Sequence, residues 1–102
     1  MNRRSSQKHI TRLAKGRDCQ IRLPGICNWN SETVVACHFR MMGLSGIGYI
    51  PDALFIAFGC SACHAHVDSH KDETTQLAFA LGVFRTQYLL LKEGAIKCRT
   101  IE

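Results

Sequence analysis

Two pairs of cysteines and two histidines carry most of the reactive chemistry in this chain. Cys60 and Cys63 stand three apart in "FGCSACHAHVD", and Cys19 and Cys27 flank "QIRLPGI" upstream. Two such pairs, drawn from distant parts of a chain, are the usual ligand set of a tetrahedral zinc site with four thiolates. The seven-residue interval inside the first pair exceeds the common two to four, but its Pro24-Gly25 turn brings the ends back together. Two other fates compete for the same thiols. A C-x-x-C redox pair belongs in a thioredoxin-like βαβ pattern, which is not visible here, and disulfides belong in an oxidising compartment. Cys37 reads as a buried small hydrophobe within a strand. Cys98 has no assigned role.

These side chains need elements that hold them still. Residues 8 to 16 suit a short helical turn ending at Gly16. "TVVACHF", residues 33 to 39, is rich in β-branched and aromatic residues and predicts a strand. Val35, Cys37 and Phe39 share one face of it, and Val34, Ala36 and His38 the other. "RMMGLSGIGYIPD" predicts a loop, and "ALFIAF", residues 53 to 58, a second strand. "CSACHAHVDSH" predicts a helix whose N-terminus favours thiolates at Cys60 and Cys63. "DETTQLAFALGVFRTQYLLLKEG" predicts a longer helix, with Asp72 or Thr74 as N-cap and Gly94 as stop. Leu77, Leu81, Phe84, Tyr88 and Leu91 recur along it at helical spacing and read as its core face. Trp29, between Asn28 and Asn30, reads as a turn-packing residue, with base stacking as the remoter alternative. The expected architecture is α+β: a zinc-stapled ββα finger with an additional C-terminal helix. It forms a single domain over 1–102, with a basic arm at 1–18, the stapled core at 19–70 and a packing helix at 72–94.

A chain of 102 residues, 46 % hydrophobic, builds only one small core, and a bound metal often makes up the shortfall. The charged N-terminal stretch lacks the apolar run of a signal peptide, and no segment approaches the roughly 20 apolar residues of a membrane span. The expectation is a cytoplasmic protein without a membrane partner, whose reduced thiols hold metal. Net charge is +5, and seven of the thirteen Lys and Arg residues fall in the first 22, where Asp18 is the single acid. That is the footprint of a partner with a phosphate backbone, although a solvated arm or an anionic-lipid contact has the same composition. Arg12, Lys15, Arg17, Arg40 and Lys71 are the candidate nucleic-acid contacts.

Taken together, "ETVVACHFR", a loop, an apolar strand and "CSACH" opening a helix resemble the HNH endonucleases of the His-Me finger (ββα-metal) superfamily. With "GRDCQIRLPGICN" and "RTQYLLLKEG" the chain looks more specifically like the YbcO-type nucleases of lambdoid prophages, over about residues 12 to 97. The resemblance implies an endonuclease acting on nucleic acid, DNA foremost. His38, closing the first strand, would be the general base that activates water. His64, directly after Cys63, would bind a catalytic divalent cation, Mg²⁺ or Mn²⁺. A neutral imidazole suits the first role at neutral pH, and a divalent cation stabilises charge on a phosphoryl group.

The chain departs from the HNH pattern in the metal shell. Cys37 stands where an acid usually precedes the first histidine, and "PDALFIAFGC" lacks the middle asparagine. Asp68, one helical turn after His64, is the replacement carboxylate, with Asp52 as a second candidate. His38 could instead be a half-buried strand histidine bonded to the backbone. His66 and His70 lack the glutamate of an HExxH site and read as exposed helix residues or phosphate contacts. The alternative function is a non-catalytic zinc module that binds nucleic acid or protein.

Overall fold

The computed structural model describes residues 10–40 and 53–97. Its sheet has two antiparallel strands, β1 (Val35–His38) and β2 (Ile56–Gly59), in the register Val35↔Gly59, Ala36↔Phe58, Cys37↔Ala57 and His38↔Ile56. Helix α1 (Ser61–Ser69) follows β2 directly, and helix α2 (Glu73–Lys92) lies against β2. α1 also packs on both strands. The expected order of strand, strand, helix and longer helix is present, in a small α+β protein. Among the described residues, no helix is long and apolar enough to cross a membrane. The loop expected over 41–51, Asp52 and Cys98 lie outside the described residues.

Both strands are shorter than the apolar runs suggested. Asn30 accepts from the amide of Glu32 at 3.1 Å and draws Ser31–Thr33 into a 3-10 turn, so β1 opens at Val35. A second 3-10 turn takes Ala53–Phe55, leaving β2 to begin at Ile56. Cys37 is buried as expected, but Val35 on the same face is exposed. The helix boundaries agree with the capping chemistry. Cys60 caps α1, and Asp72 caps α2 by accepting from the Thr75 amide and hydroxyl. Gly94, at φ +77°, adopts the left-handed turn beyond the end of α2.

The face that α2 buries is not the expected one. Leu77, Leu81, Phe84, Tyr88 and Leu91 are 40 to 63 % exposed, while Thr75, Phe79, Gly82, Val83, Thr86 and Leu90 face the core. The physical reason is close approach. A Cβ at Gly82 would stand 3.0 Å from Ile21 Cγ1, 3.1 Å from the Gln20 carbonyl oxygen and 3.2 Å from Ala57 Cβ. Small residues let the helix settle against β2 and the 20–21 segment at a distance that bulky leucines would prevent.

One residue of β2 shows how this packing is fixed. The Phe58 carbonyl accepts from Gln20 N at 2.6 Å, and its amide donates to Thr86 Oγ1 at 3.0 Å. Both outer-edge backbone groups of a buried strand residue therefore have partners, as burial requires. Part of the expected basic arm belongs to this core. Ile10 and Ala14 are buried, and Arg17 stacks over Phe58 at 5.6 Å while binding Glu93 through two contacts of 2.6 Å. At the other end of the sheet, Phe39 meets Phe79 edge-on at 4.9 Å.

Candidate metal centre and histidine pair

The turn around Pro24-Gly25 and the start of α1 bring Cys19, Cys27, Cys60 and Cys63 together, all four sulfurs lying within 4.8 Å of one another. None is in a disulfide. The Cys27–Cys60 sulfur separation is 3.8 Å. A tetrahedron with metal–sulfur bonds of about 2.3 Å has an edge of about 3.8 Å, so the spacing suits an ion such as zinc. Backbone amides serve the sulfurs as well. Arg22 N lies 3.5 Å from Cys19 Sγ, while Asn28 N and Cys63 N lie 3.5 and 3.4 Å from Cys60 Sγ. The Trp29 amide bonds Cys27, and the Leu23 amide bonds Cys63. Anionic sulfur ligands accept such bonds readily, so the chemistry of the donor set fits a metal thiolate centre.

Two non-glycine residues adopt left-handed backbone to make these turns, Arg22 at φ +54° and Trp29 at φ +55°. Such a conformation costs on the order of 1–3 kcal/mol and persists only where surroundings fix it. Here both amides bond cluster sulfurs. Trp29 itself is 70 % exposed, so it does not pack the turn. The strained backbone directs its ring outward.

The thiols differ in acidity. Burial raises Cys27 to about 11 and raises Cys63 further. Burial also opposes ionisation of Cys60, but amide bonds from Cys63 and Asn28 outweigh it and bring that thiol down to about 7. Cys37 stands apart, pushed up to about 12 by burial and then by the charge of Asp68. Its sulfur would lie 3.0 Å from a Cβ at Gly59, so it is a packed neutral thiol, as expected.

His38 ends β1 and is half-buried. Burial lowers its pKa below the usual value, and the charges of Arg40 and His64 lower it further. His64 projects from the first turn of α1, with Nε2 3.3 Å from Asp68 Oδ2 one turn on. Among the described residues, the four cysteines are the one group of three or more side chains that could jointly hold an ion. His64 and Asp68 form a two-member pair. His66 and His70 stack on each other at 3.9 Å, and His70 Nδ1 is occupied locally by Ser69 Oγ and the His66 carbonyl.

The candidate nucleic-acid residues are scattered. Arg12, Lys15 and Arg40 are exposed, and Lys71 donates to the Val67 carbonyl at 2.9 Å, capping α1. Arg17 is engaged with Glu93. A further feature has no counterpart among the sequence motifs: a cleft of about 760 Å³, in which Arg17 joins Arg22, Arg85, Phe84 and Tyr88.

Among the described residues, a two-stranded sheet, helices α1 and α2, and four thiols close enough to hold a metal ion together define a small α+β protein. The chain belongs to the family described as "Putative nuclease YbcO", which it matches over residues 8–95. It is 45 % identical over 92 residues to "Putative nuclease YbcO" of Escherichia coli (strain K12), covering 86 % of this chain and 96 % of that one. A "Putative nuclease ybcO" from Enterobacteria phage 82 shows the same 45 % identity and the same coverage. A solved structure described as a putative bacteriophage protein from E. coli str. K-12 substr. MG1655 superposes with a TM-score of 0.68 at 39 % identity, over 82 % of this chain and 98 % of that one.

Proposed function

We propose that this protein is a metal-dependent endonuclease that hydrolyses phosphodiester bonds in nucleic acid, DNA foremost, in the cytoplasm. In this reading Cys19, Cys27, Cys60 and Cys63 hold a structural zinc that fixes the start of α1 against the N-terminal turn. His38 is the general base, and His64 with Asp68 holds one divalent cation. The fold is then an HNH-like ββα unit.

The observation that carries the reading is the state of His38. Its half-buried ring has its pKa lowered by burial, then by Arg40 and His64, which favours the neutral imidazole that can remove a proton from water. The neighbouring His64–Asp68 pair supplies one imidazole and one carboxylate at 3.3 Å. Two ligands suffice for a Mg²⁺-type ion, which commonly binds through one or two carboxylates and keeps water and phosphate oxygens elsewhere. Such a cation would stabilise charge growing on the phosphate and the leaving oxygen. The names of the relatives agree with this class of reaction.

The test is supercoiled plasmid incubated with purified protein over a series of divalent cations. Nicking with Mg²⁺ or Mn²⁺ is expected, and His38→Ala is expected to lower the rate roughly 100- to 10,000-fold, the usual contribution of a general base. Undiminished nicking by that variant removes the mechanism. One observation favours a second reading, a non-catalytic zinc module that binds nucleic acid: no third metal ligand joins His64 and Asp68 among the described residues. Salt-sensitive binding without cleavage under any divalent cation supports it.

A further inference from the structure

The 17–22 segment and the C-terminal half of α2 enclose a cleft that the His38–His64 chemistry does not use. We propose that this cleft binds a single strand of nucleic acid, with phosphates on Arg22 and Arg85 and bases stacked on Phe84 and Tyr88. The proposal deepens the nuclease reading by assigning a substrate-strand surface, and it rests on that reading for the biological role of the strand.

Each part is argued from geometry. Arg22 is fixed by Nε donating to the Cys19 carbonyl at 3.1 Å and Nη2 to Gln20 Oε1 at 3.3 Å. Arg85 is fixed by Nη1 donating to the Gln20 carbonyl at 2.7 Å. Among the described residues, neither guanidinium is matched to a carboxylate, and each retains N–H groups for a phosphate. Arg17 differs: Glu93 neutralises it, and it forms a wall rather than an anion contact. Asp18 is the acid in the lining, and Lys92, with Nζ 5.5 Å from the Tyr88 ring, adds a further cation beside it. The balance favours an anionic ligand.

The aromatics supply the second half of the argument. Phe84 and Tyr88 are 63 % and 61 % exposed on one face of α2. Four residues apart, they are separated by about 6 Å along the helix axis, a step that neighbouring nucleotides of an extended strand can follow. Bases in a duplex already stack on one another, so an aromatic platform selects unpaired ones. The ligand class is therefore a single strand rather than a duplex or an inorganic anion.

The experiment measures binding of a short fluorescein-labelled oligothymidylate by fluorescence polarisation, using the full chain with His38→Ala so that no strand is cut. Phe84→Ala and Tyr88→Ala are each expected to weaken binding roughly fivefold to a hundredfold, the range for losing one stacked base. A duplex of equal length should respond much less. Arg22→Ala with Arg85→Ala should flatten the log–log salt slope by about 1.4, for two phosphate contacts on a single strand. Unchanged melting and metal content show that each variant is folded, and Arg85→Lys keeps a donor for Gln20 if Arg85→Ala is not. Parent-like affinity in all folded variants overturns the proposal. So do equal losses for duplex and single strand at the aromatic positions. A change from dimer to monomer on Phe84→Ala or Tyr88→Ala, with oligonucleotide affinity intact, also overturns it and assigns the face to a second copy of the chain. If the parent protein cuts nothing but the cleft variants lose affinity, the nuclease reading fails and the cleft stands. Cleavage that needs His38, with binding indifferent to the cleft, keeps the nuclease and overturns the cleft.

Discussion

Cys27 and Cys60, far apart in sequence, hold their sulfurs 3.8 Å apart in the fold. That contact joins the N-terminal turn to α1, and the amides of Asn28 and Cys63 converge on the same Cys60 sulfur. A structural zinc contributes an apparent 10 kcal/mol or more in small domains, on the order of the whole stability of such a chain. Purified protein is therefore expected to contain about one zinc per chain. Cys27→Ser and Cys60→Ser should each lose the metal and cooperative thermal unfolding together. Metal analysis paired with a circular-dichroism melt checks this, and a parent-like melt after exhaustive chelation contradicts it.

Thr86 sets the seat of α2. Its hydroxyl donates to the Gly82 carbonyl at 2.8 Å and accepts from the Phe58 amide at 3.0 Å, with the residue fully buried. Thr86→Val keeps the shape but strands a buried amide, at a cost of about 1–3 kcal/mol. Thr86→Ser keeps the bond and should cost less. On the opposite face, Leu77→Gln should change stability by no more than about 0.5 kcal/mol, because Leu77 is exposed. Urea denaturation of the three variants decides. A large loss for Leu77→Gln would mean that the bulky stripe is buried after all.

The two faces of α2 also mark how far the sequence is legible. Caps and stops are readable because their chemistry is local: Asp72 and Gly94 act on backbone groups within a turn of themselves, whereas the capping of α1 by Cys60 shows only in the fold. The four cysteines are readable because few side chains bind metal and the two spacings pair naturally. The buried face of α2 is not. Hydrophobicity ranks Leu77, Leu81, Phe84, Tyr88 and Leu91 first, whereas the telling signal is Gly82 and Thr86 four apart, small residues that permit close docking. Trp29 defies expectation for a related reason, since its left-handed backbone and exposed ring arise in the cysteine turn, which composition does not reveal. The Arg22–Arg85 cleft joins residues whose proximity depends on that same docking.

Asp68 accounts for the proposed cation site. Its carboxylate lies 3.3 Å from His64 Nε2 and is largely exposed, so removing its charge disturbs little packing. Asp68→Asn is expected to leave the melting temperature nearly unchanged while shifting the Mg²⁺ or Mn²⁺ midpoint for plasmid nicking upward about tenfold or more, within the range for disturbed metal sites. A metal titration of activity, run beside a melt, separates the two effects. An unshifted midpoint would place the cation elsewhere.

If His38 is the base proposed above, it ties catalysis and stability to pH in one direction. Burial, then Arg40, then His64 hold its pKa below the ordinary histidine value of about 6.5, so the neutral ring survives to lower pH than in the unfolded chain. A general base must be neutral. The acid limb of kcat/KM for His38-dependent cleavage should therefore turn below pH ~6.5, with the rate rising as pH rises through that point. The same depressed pKa means that the unfolded state binds more protons in this window, so stability rises with pH and is lost as pH falls through the folded value. Arg40→Gln removes one of the charges opposing protonation and should move both the kinetic limb and the stability limb upward, while a cation at His64 would move them down. His38→Gln should flatten its share of the stability limb. A parent limb at or above the free-histidine value, or one that Arg40→Gln leaves in place, would mean that the titrating base is another group.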